Sequence, residues 1–380
     1  MNTNKLLRLA LIATIASSPA CQRSFGTPGL SLDASRTTTR PASSAAATPA
    51  GINDKEYEAY RQQVLQRFLK KEFGWIDQEA GKDRINKERL PGGYWKIRVL
   101  YAAMEKPEAG DKASDGAWED LIKGLAGWAQ QQPESVTAKV ALATAWQNYA
   151  WKARGNGYSD TVSSVAAEVF QKRLATAAQI LSEASSLHDR CPHWFVTALW
   201  VGMGQGWKRA DLERVFEAGI KLEPTYYYLY QAKASYLLPR WGGAEGAWER
   251  FADESALNLG GHQGDIVFFA IYSQMMTMHG MSLMNTHQQA VPKLIAGFRS
   301  IEKLYGAAPH RLNEACFFAV FSNDLKTAGE LFDRIGDDYD ESVWHSRQNF
   351  EVFRQGFQGK SQGQKQDSAR SVLQSQPRKK

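Results

Sequence analysis

The chain has 380 residues, of which 43% are hydrophobic and 23% are charged. This balance is typical of a folded globular protein and excludes a disordered or collagen-like chain. The formal net charge is +6, but residues 1–20 and 21–52 each carry +2 and residues 358–380 carry +5. Residues 53–357 are therefore left with −3, which supplies no positive field for phosphates, so we expect no nucleic acid partner.

Residues 1–20 have the pattern of a secretory signal peptide. Two basic residues precede a short apolar run over 9–16, and small residues then lead to Cys21. The apolar run is too short to span a bilayer as a helix. Residues 18–21 resemble the lipobox of bacterial lipoproteins, which implies an exported, periplasm-facing protein anchored to a membrane by a lipid on Cys21. Ordinary signal peptidase cleavage before Cys21 is the alternative.

Both ends of the predicted folded body have low-complexity sequences. Residues 21–52 are mostly Ser, Thr, Ala, Pro and Gly, and they cannot offset the entropy cost of ordering. They predict a flexible linker with a reach of about 30 Å. Residues 358–380 are rich in Gln, Ser and Lys and predict a basic disordered tail.

Residues 53–357 show helical periodicity throughout. Asn53 followed by Glu56 predicts a capped helix start, and apolar side chains then follow at spacings of three and four. Further helices are predicted at 93–106, 116–132, 136–154, 161–187, 193–205, 209–222, 226–238, 244–258, 265–279, 288–305, 310–322, 325–335 and 341–357. No run alternates convincingly with a period of two, so the predicted fold class is all-α.

The spacing of prolines indicates that these helices repeat. Pro192 and Pro224 are 32 residues apart, close to the 34-residue period of tetratricopeptide repeats. Residues 197–224 resemble one such repeat, with Leu199 at an expected position, and a weaker match covers 309–340. The predicted architecture is an irregular tetratricopeptide-like α-solenoid of stacked helical hairpins, curved and with a groove on one side.

A second resemblance covers residues 226–256, with the sequence YYYLYQAKASYLLPRWGGAEGAWERFADESA. This segment is similar to the core of a bacterial family catalogued as domain of unknown function 4034, which is often found in exported proteins. The family is uncharacterised, so the resemblance implies no activity. We expect a recognition groove for a protein or peptide partner to be lined by Tyr226, Tyr227, Tyr230, Arg240 and Trp241. The alternative is that Arg240 and Trp241 plug a corner between hairpins.

The segment 275–287 contains five of the eight methionines and two histidines. They are Met275, Met276, Met278, Met281, Met284, His279 and His287. Thioether and imidazole ligands suit Cu(I), so periplasmic copper binding is one alternative function. However, methionine also fills irregular gaps between helices, and a metal site needs a defined ligand geometry. We therefore expect packing here and no metal or other cofactor.

The remaining cysteines and histidines give no complete zinc site. His188, Cys191 and His193 lie within six residues, but no second pair of ligands is near in sequence. Cys191 and Cys316 are separated by several predicted hairpins, which should keep them farther apart than a disulfide allows. We expect two free, buried cysteines.

Catalytic signatures are absent from the sequence. The chain contains no Gly-x-Ser-x-Gly, no His-Glu-x-x-His and no phosphate-binding glycine loop. Asp253 and Glu254 are adjacent, and neighbouring side chains on a helix point about 100° apart, so this pair would not flank one glycosidic bond. We expect a non-catalytic binding or scaffold protein of the bacterial cell envelope. Twelve tryptophans leave an α-helical enzyme or binding module for cell-wall glycan as an alternative.

Overall fold

The structure is a computed structural model that describes residues 54–155, 162–280 and 282–357. Over these residues the fold is all-α, an irregular tetratricopeptide-like arrangement of helical hairpins, as the periodicity predicts. The predicted signal peptide, lipidation site, linker and basic tail lie outside the described residues. No helix within the described ranges combines the length and the apolar character needed to cross a membrane.

The described residues form two compact units. The first unit contains residues 106–218, and the second combines residues 54–105 with residues 219–357. The second unit is therefore assembled from two stretches that are distant in sequence.

The N-terminal stretch of the second unit contains α1 (Lys55–Leu69), α2 (Phe73–Asn86), the strands β1 (Arg89–Leu90) and β2 (Tyr94–Trp95), and α3 (Lys96–Ala102). The first unit contains α4 (Asp115–Gln131), α5 (Val136–Arg154), α6 (Ser164–Ala184), α7 (Pro192–Gln205) and most of α8 (Arg209–Leu222). The rest of the second unit contains α9 (Tyr228–Tyr236), α10 (Ala247–Leu259), α11 (Gly261–His279), α12 (Ser282–Thr286), α13 (Val291–Tyr305), α14 (Pro309–Phe321), α15 (Leu325–Ile335), α16 (Glu341–Trp344) and α17 (347–357).

In the first unit, serine caps fix where the helices begin. The side chains of Ser114, Ser135 and Ser163 each accept a hydrogen bond from a backbone N–H three residues further on, at the starts of α4, α5 and α6. Helix α5 packs between α4 and α6 and also contacts α7. The ring of Trp118 on α4 stacks on Tyr149 of α5, with centroids 5.1 Å apart. This contact holds α4 and α5 together as the first hairpin of the unit.

In the second unit, a short antiparallel strand pair replaces the beginning of a predicted helix. The prediction of a helix over 93–106 is wrong at its start, because residues 94–95 pair with 89–90 and α3 begins only at Lys96. Gly92 and Gly93 adopt φ values of +79° and +74° in the turn between the strands, a region that glycine adopts without strain. A Cβ on Gly92 would lie 2.6 Å from the Cβ of Ala308, so the turn packs directly against the start of α14.

The remaining helices of this unit pack in succession, with α10, α11, α13, α14 and α15 each contacting the next. Glycines allow the closest approaches. A Cβ on Gly264 of α11 would lie 2.1 Å from the carbonyl oxygen of Ala256, and one on Gly297 of α13 would lie 2.6 Å from that of Asp265. At the end of the unit, the single helix predicted over 341–357 is divided, because His345 adopts a left-handed conformation with φ of +63°.

One helix of the first unit and two helices of the second are enclosed by their neighbours. Helices α5, α11 and α14 bury side chains on almost every face. An open solenoid groove would leave one face of its inner helices accessible. Among the described residues, these three helices do not line such a groove.

Candidate functional site

The structure divides the five residues predicted to bind a partner into a buried and an accessible group. Tyr226, Tyr227 and Tyr230 are 0%, 3% and 4% exposed. The Tyr227 hydroxyl donates to the carbonyl of Gly93 at 3.2 Å, and the Tyr230 hydroxyl donates to that of Pro224 at 2.9 Å. The three tyrosines are therefore core residues of the second unit and not the lining of an open groove.

Arg240 and Trp241 belong to the accessible group. They lie in a corner, residues 239–243, where a single 3-10 turn follows α9. Arg240 is exposed and Trp241 is half-buried. A Cβ on Gly243 would lie 1.7 Å from the carbonyl oxygen of Leu237, so the corner closes tightly on the preceding helix. The corner therefore has a fixed backbone that displays an arginine and one part of an indole ring.

The buried tyrosines support a cluster of aromatic rings and arginines. The ring of Tyr226 lies edge-on to Trp95, with centroids 4.9 Å apart. The guanidinium of Arg98 lies 5.6 Å from the centroid of the Tyr228 ring and makes a two-point ion pair with Glu105, at 2.9 and 3.1 Å. Sequence reasoning missed the role of this arginine, because nothing in its local spacing points to a partner at position 228.

A buried ionic cluster lies in the same unit. His310 Nδ1 is 2.8 Å from an oxygen of Asp340, and its Nε2 is 3.6 Å from an oxygen of Glu314. Both ring nitrogens face carboxylate oxygens, an arrangement that favours a proton on each nitrogen. Burial lowers the pKa of His310, but the two carboxylates outweigh this effect and raise the pKa to about 9.

Arg311 completes this cluster. Its Nη1 donates to Glu314 at 2.5 Å, and its Nε donates to the carbonyl of Gly92 at 3.4 Å. Burial raises the pKa of Glu314, but the adjacent Arg311 and His310 lower it to about 2. The backbone N–H of His310 also donates to Asp54 at 3.2 Å. The cluster therefore pairs its charges internally and ties the start of α1 and the β1–β2 turn to α14.

A second group of charges surrounds Lys96. Its ammonium nitrogen lies 2.9 Å from Glu88, 3.5 Å from Asp83 and 3.6 Å from Glu79. Asp83 also accepts a hydrogen bond from the Tyr60 hydroxyl at 3.1 Å. Burial raises the pKa of Asp83 to about 6, a direction expected of a general acid in glycan hydrolysis. However, Asp83 is 0% exposed, so its carboxyl does not reach a substrate in this structure.

Three of the five methionines of the segment 275–287 pack in the interior. Met275, Met278 and Met284 are at most 3% exposed, and Met281 lies outside the described residues. The sulfur of Met278 accepts a hydrogen bond from Ser235 at 3.6 Å. His287 pairs with Glu249 at 3.2 Å. Met275, Met278 and Met284 thus fill space between helices, whereas Met276 is half-buried and His279 is exposed.

His188, Cys191 and His193 differ in their accessibility. Cys191 and His193 are each 2% exposed, whereas His188 is exposed. No group of three or more His, Cys, Asp or Glu side chains within the described ranges is arranged to hold a metal ion. Cys191 and Cys316 are both buried and form no disulfide bond among the described residues, as expected, and burial raises the pKa of the Cys316 thiol.

A comparison of the chain with protein-family models, curated proteins and solved structures finds no match.

Proposed function

We propose that the protein is a helical-repeat binding or scaffold protein of the bacterial cell envelope, and that it recognises a protein or peptide partner without catalysing a reaction. The leader and Cys21 support export and a lipid anchor that holds it to a membrane in the periplasm. The all-α arrangement of hairpins supports a binding role, because such repeats commonly present surfaces to partners.

The observation that carries this proposal is the corner 239–243, where Arg240 is exposed and Trp241 is half-buried on a fixed backbone. Arginine and tryptophan are enriched among the residues that dominate interface energies. A backbone that is already ordered lowers the entropy cost of binding. The planar guanidinium of Arg240 favours a partner with a carboxylate at the contact, because it donates two parallel hydrogen bonds to such a group.

The proposal is tested by photo-crosslinking in the native envelope. A photoreactive side chain replaces Ala244, which is exposed beside the corner, in the full-length protein. We expect one specific protein adduct, with a yield that falls about tenfold in the Arg240→Ala and Trp241→Ala variants, because loss of an interface hot spot costs about 1.4 kcal/mol or more.

Arg347→Ala serves as the matched control, since Arg347 is also exposed but lies on α17. Its adduct yield should equal that of the wild-type protein. Equal yields from all variants, or recovery of cell-wall glycan alone, would contradict recognition of a protein partner through this corner.

A further inference from the structure

Arg89 occupies an unusual position on the short strand pair of the second unit. It is paired across β1 and β2 with Trp95, and directly opposed residues of antiparallel strands project from the same face. Its guanidinium accordingly lies over the Trp95 ring, and 5.7 Å from the centroid of the Tyr305 ring. A Cβ on Gly93 would lie 3.2 Å from the Tyr305 ring, so the turn brings the end of α13 close to Arg89.

Arg89 makes only two hydrogen bonds in the described residues. It donates to the carbonyl of Lys87 at 2.5 Å and, over a longer distance of 3.4 Å, to the hydroxyl of Thr225. No carboxylate of the described residues lies within ion-pairing distance of Arg89. By contrast, the neighbouring Lys96 and Arg98 each have at least one carboxylate partner within 3 Å.

Glu223 is the acidic side chain next to this site, and both of its oxygens have other partners. One oxygen accepts the backbone N–H of Thr225 at 3.2 Å and its hydroxyl at 2.7 Å. The other oxygen lies 2.7 Å from the ammonium of Lys87. Glu223 therefore attracts Arg89 electrostatically but does not contact it.

Arg89 is poorly solvated but remains partly accessible. Burial lowers the pKa of Arg89 to about 10, because desolvation outweighs the attraction of Glu223, which does not contact it. Arg89 and Tyr305 are both half-buried and thus reachable from solvent. The Tyr305 hydroxyl accepts a hydrogen bond from Gln263 at 3.3 Å, and its own proton has no acceptor among the described residues.

We propose that Arg89 and the Tyr305 hydroxyl form a binding site for an oxyanion, the carboxylate or phosphate group of a ligand. The guanidinium retains N–H donors, and a planar fork of this kind matches both groups in a two-point contact. The Trp95 and Tyr305 rings limit water around the charge, which strengthens its attraction to an anion. The site uses different residues from the corner 239–243 and does not depend on the proposed function.

The test is calorimetric titration of the full-length protein with inorganic phosphate and, separately, with succinate, in buffer matched for ionic strength with chloride. We expect one saturable site for at least one of the two probes. The Arg89→Gln variant should weaken that affinity at least tenfold, and Tyr305→Phe should weaken it a few-fold, because it removes one neutral donor. The probe that binds more tightly shows whether the site prefers a phosphate or a carboxylate group.

Two controls separate binding from folding. Arg347→Gln removes an exposed arginine elsewhere and should leave the affinity unchanged. If Arg89→Gln perturbs the packing over Trp95, Tyr305→Phe still tests the site, because it removes a single oxygen atom. Binding of neither probe above the chloride background, or equal affinities of wild-type, Arg89→Gln and Tyr305→Phe proteins, would overturn the proposal.

Discussion

His310 illustrates how neighbouring carboxylates make one buried side chain a source of pH dependence. In the unfolded chain its pKa is near 6.5, whereas Glu314 and Asp340 raise it to about 9 in the folded protein. A pKa that is higher in the folded state means that the folded state binds the proton more tightly. The stabilisation is therefore complete below pH 6.5 and is lost as the pH rises through 9.

We predict that the free energy of unfolding falls between pH 6.5 and 9 by up to about 3 kcal/mol through this residue. The His310→Gln variant should be less stable at pH 6, because Asp340 loses its cation and Glu314 keeps only Arg311, and its stability should vary less over this range. Urea unfolding at a series of pH values measures both effects. His188→Gln, a change at an exposed histidine, should retain the wild-type dependence of stability on pH. If the stability of His310→Gln changed with pH in parallel with wild type, His310 would not be the titrating group.

For individual residues, the sequence reveals only part of the candidate sites. Residues 226–230 are strongly aromatic in the sequence, and a corner between hairpins is one interpretation of Arg240 and Trp241; the structure places both in a 3-10 turn that follows α9. The sequence does not show that the tyrosines face inward, because their burial depends on Trp95 and other residues more than 130 positions away. The position of Arg89 next to Thr225 and Tyr305 is hidden for the same reason.

At the scale of elements, local signals predict the helices well where caps and glycines mark their ends. The predicted helices 136–154 and 209–222 coincide with α5 and α8, and α5 begins after the Ser135 cap and ends at Gly155, with φ of +68°. The predictions fail where a residue other than glycine or proline leaves the helical region, as His345 does. The spacing of apolar residues contains no signal for such a departure.

The contact between α10 and α11 gives a prediction for a matched pair of helical glycines. Gly264→Ala should destabilise the protein by about 1–3 kcal/mol, because the new Cβ overlaps a backbone oxygen that has no room to move. Gly329→Ala on α15 should stabilise it by about 0.5–1 kcal/mol, since no atom lies within 4 Å of the new Cβ and alanine favours a helix. Thermal and urea unfolding measure both. Equal effects of the two substitutions would contradict the close crossing of α10 and α11.

At the scale of the whole molecule, the second unit depends on contacts between its two distant stretches. The N–H of Gly92 donates to the carbonyl of Gly306 at 3.0 Å, and Asp54 accepts the N–H of His310. A hydrophobic pattern repeated along the chain favours pairing of successive hairpins. It does not reveal that residues 54–105 join residues 219–357, because the hydrogen bonds between these stretches link residues that are more than 130 positions apart.

The division into two units predicts which regions lose protection from hydrogen exchange together. Leu294 on α13 and Leu174 on α6 are both 0% exposed, and replacement of either by alanine should cost about 2–5 kcal/mol. In native-state hydrogen exchange, Leu294→Ala should lower the opening free energies of amides in both 54–105 and 219–357, since a compact unit opens cooperatively. The opening free energies of amides in 106–218 should fall less. Leu174→Ala should show the reverse order. If Leu294→Ala left residues 54–105 as protected as in wild type, the N-terminal stretch would be stable without its C-terminal partner, and the second unit would not be cooperative.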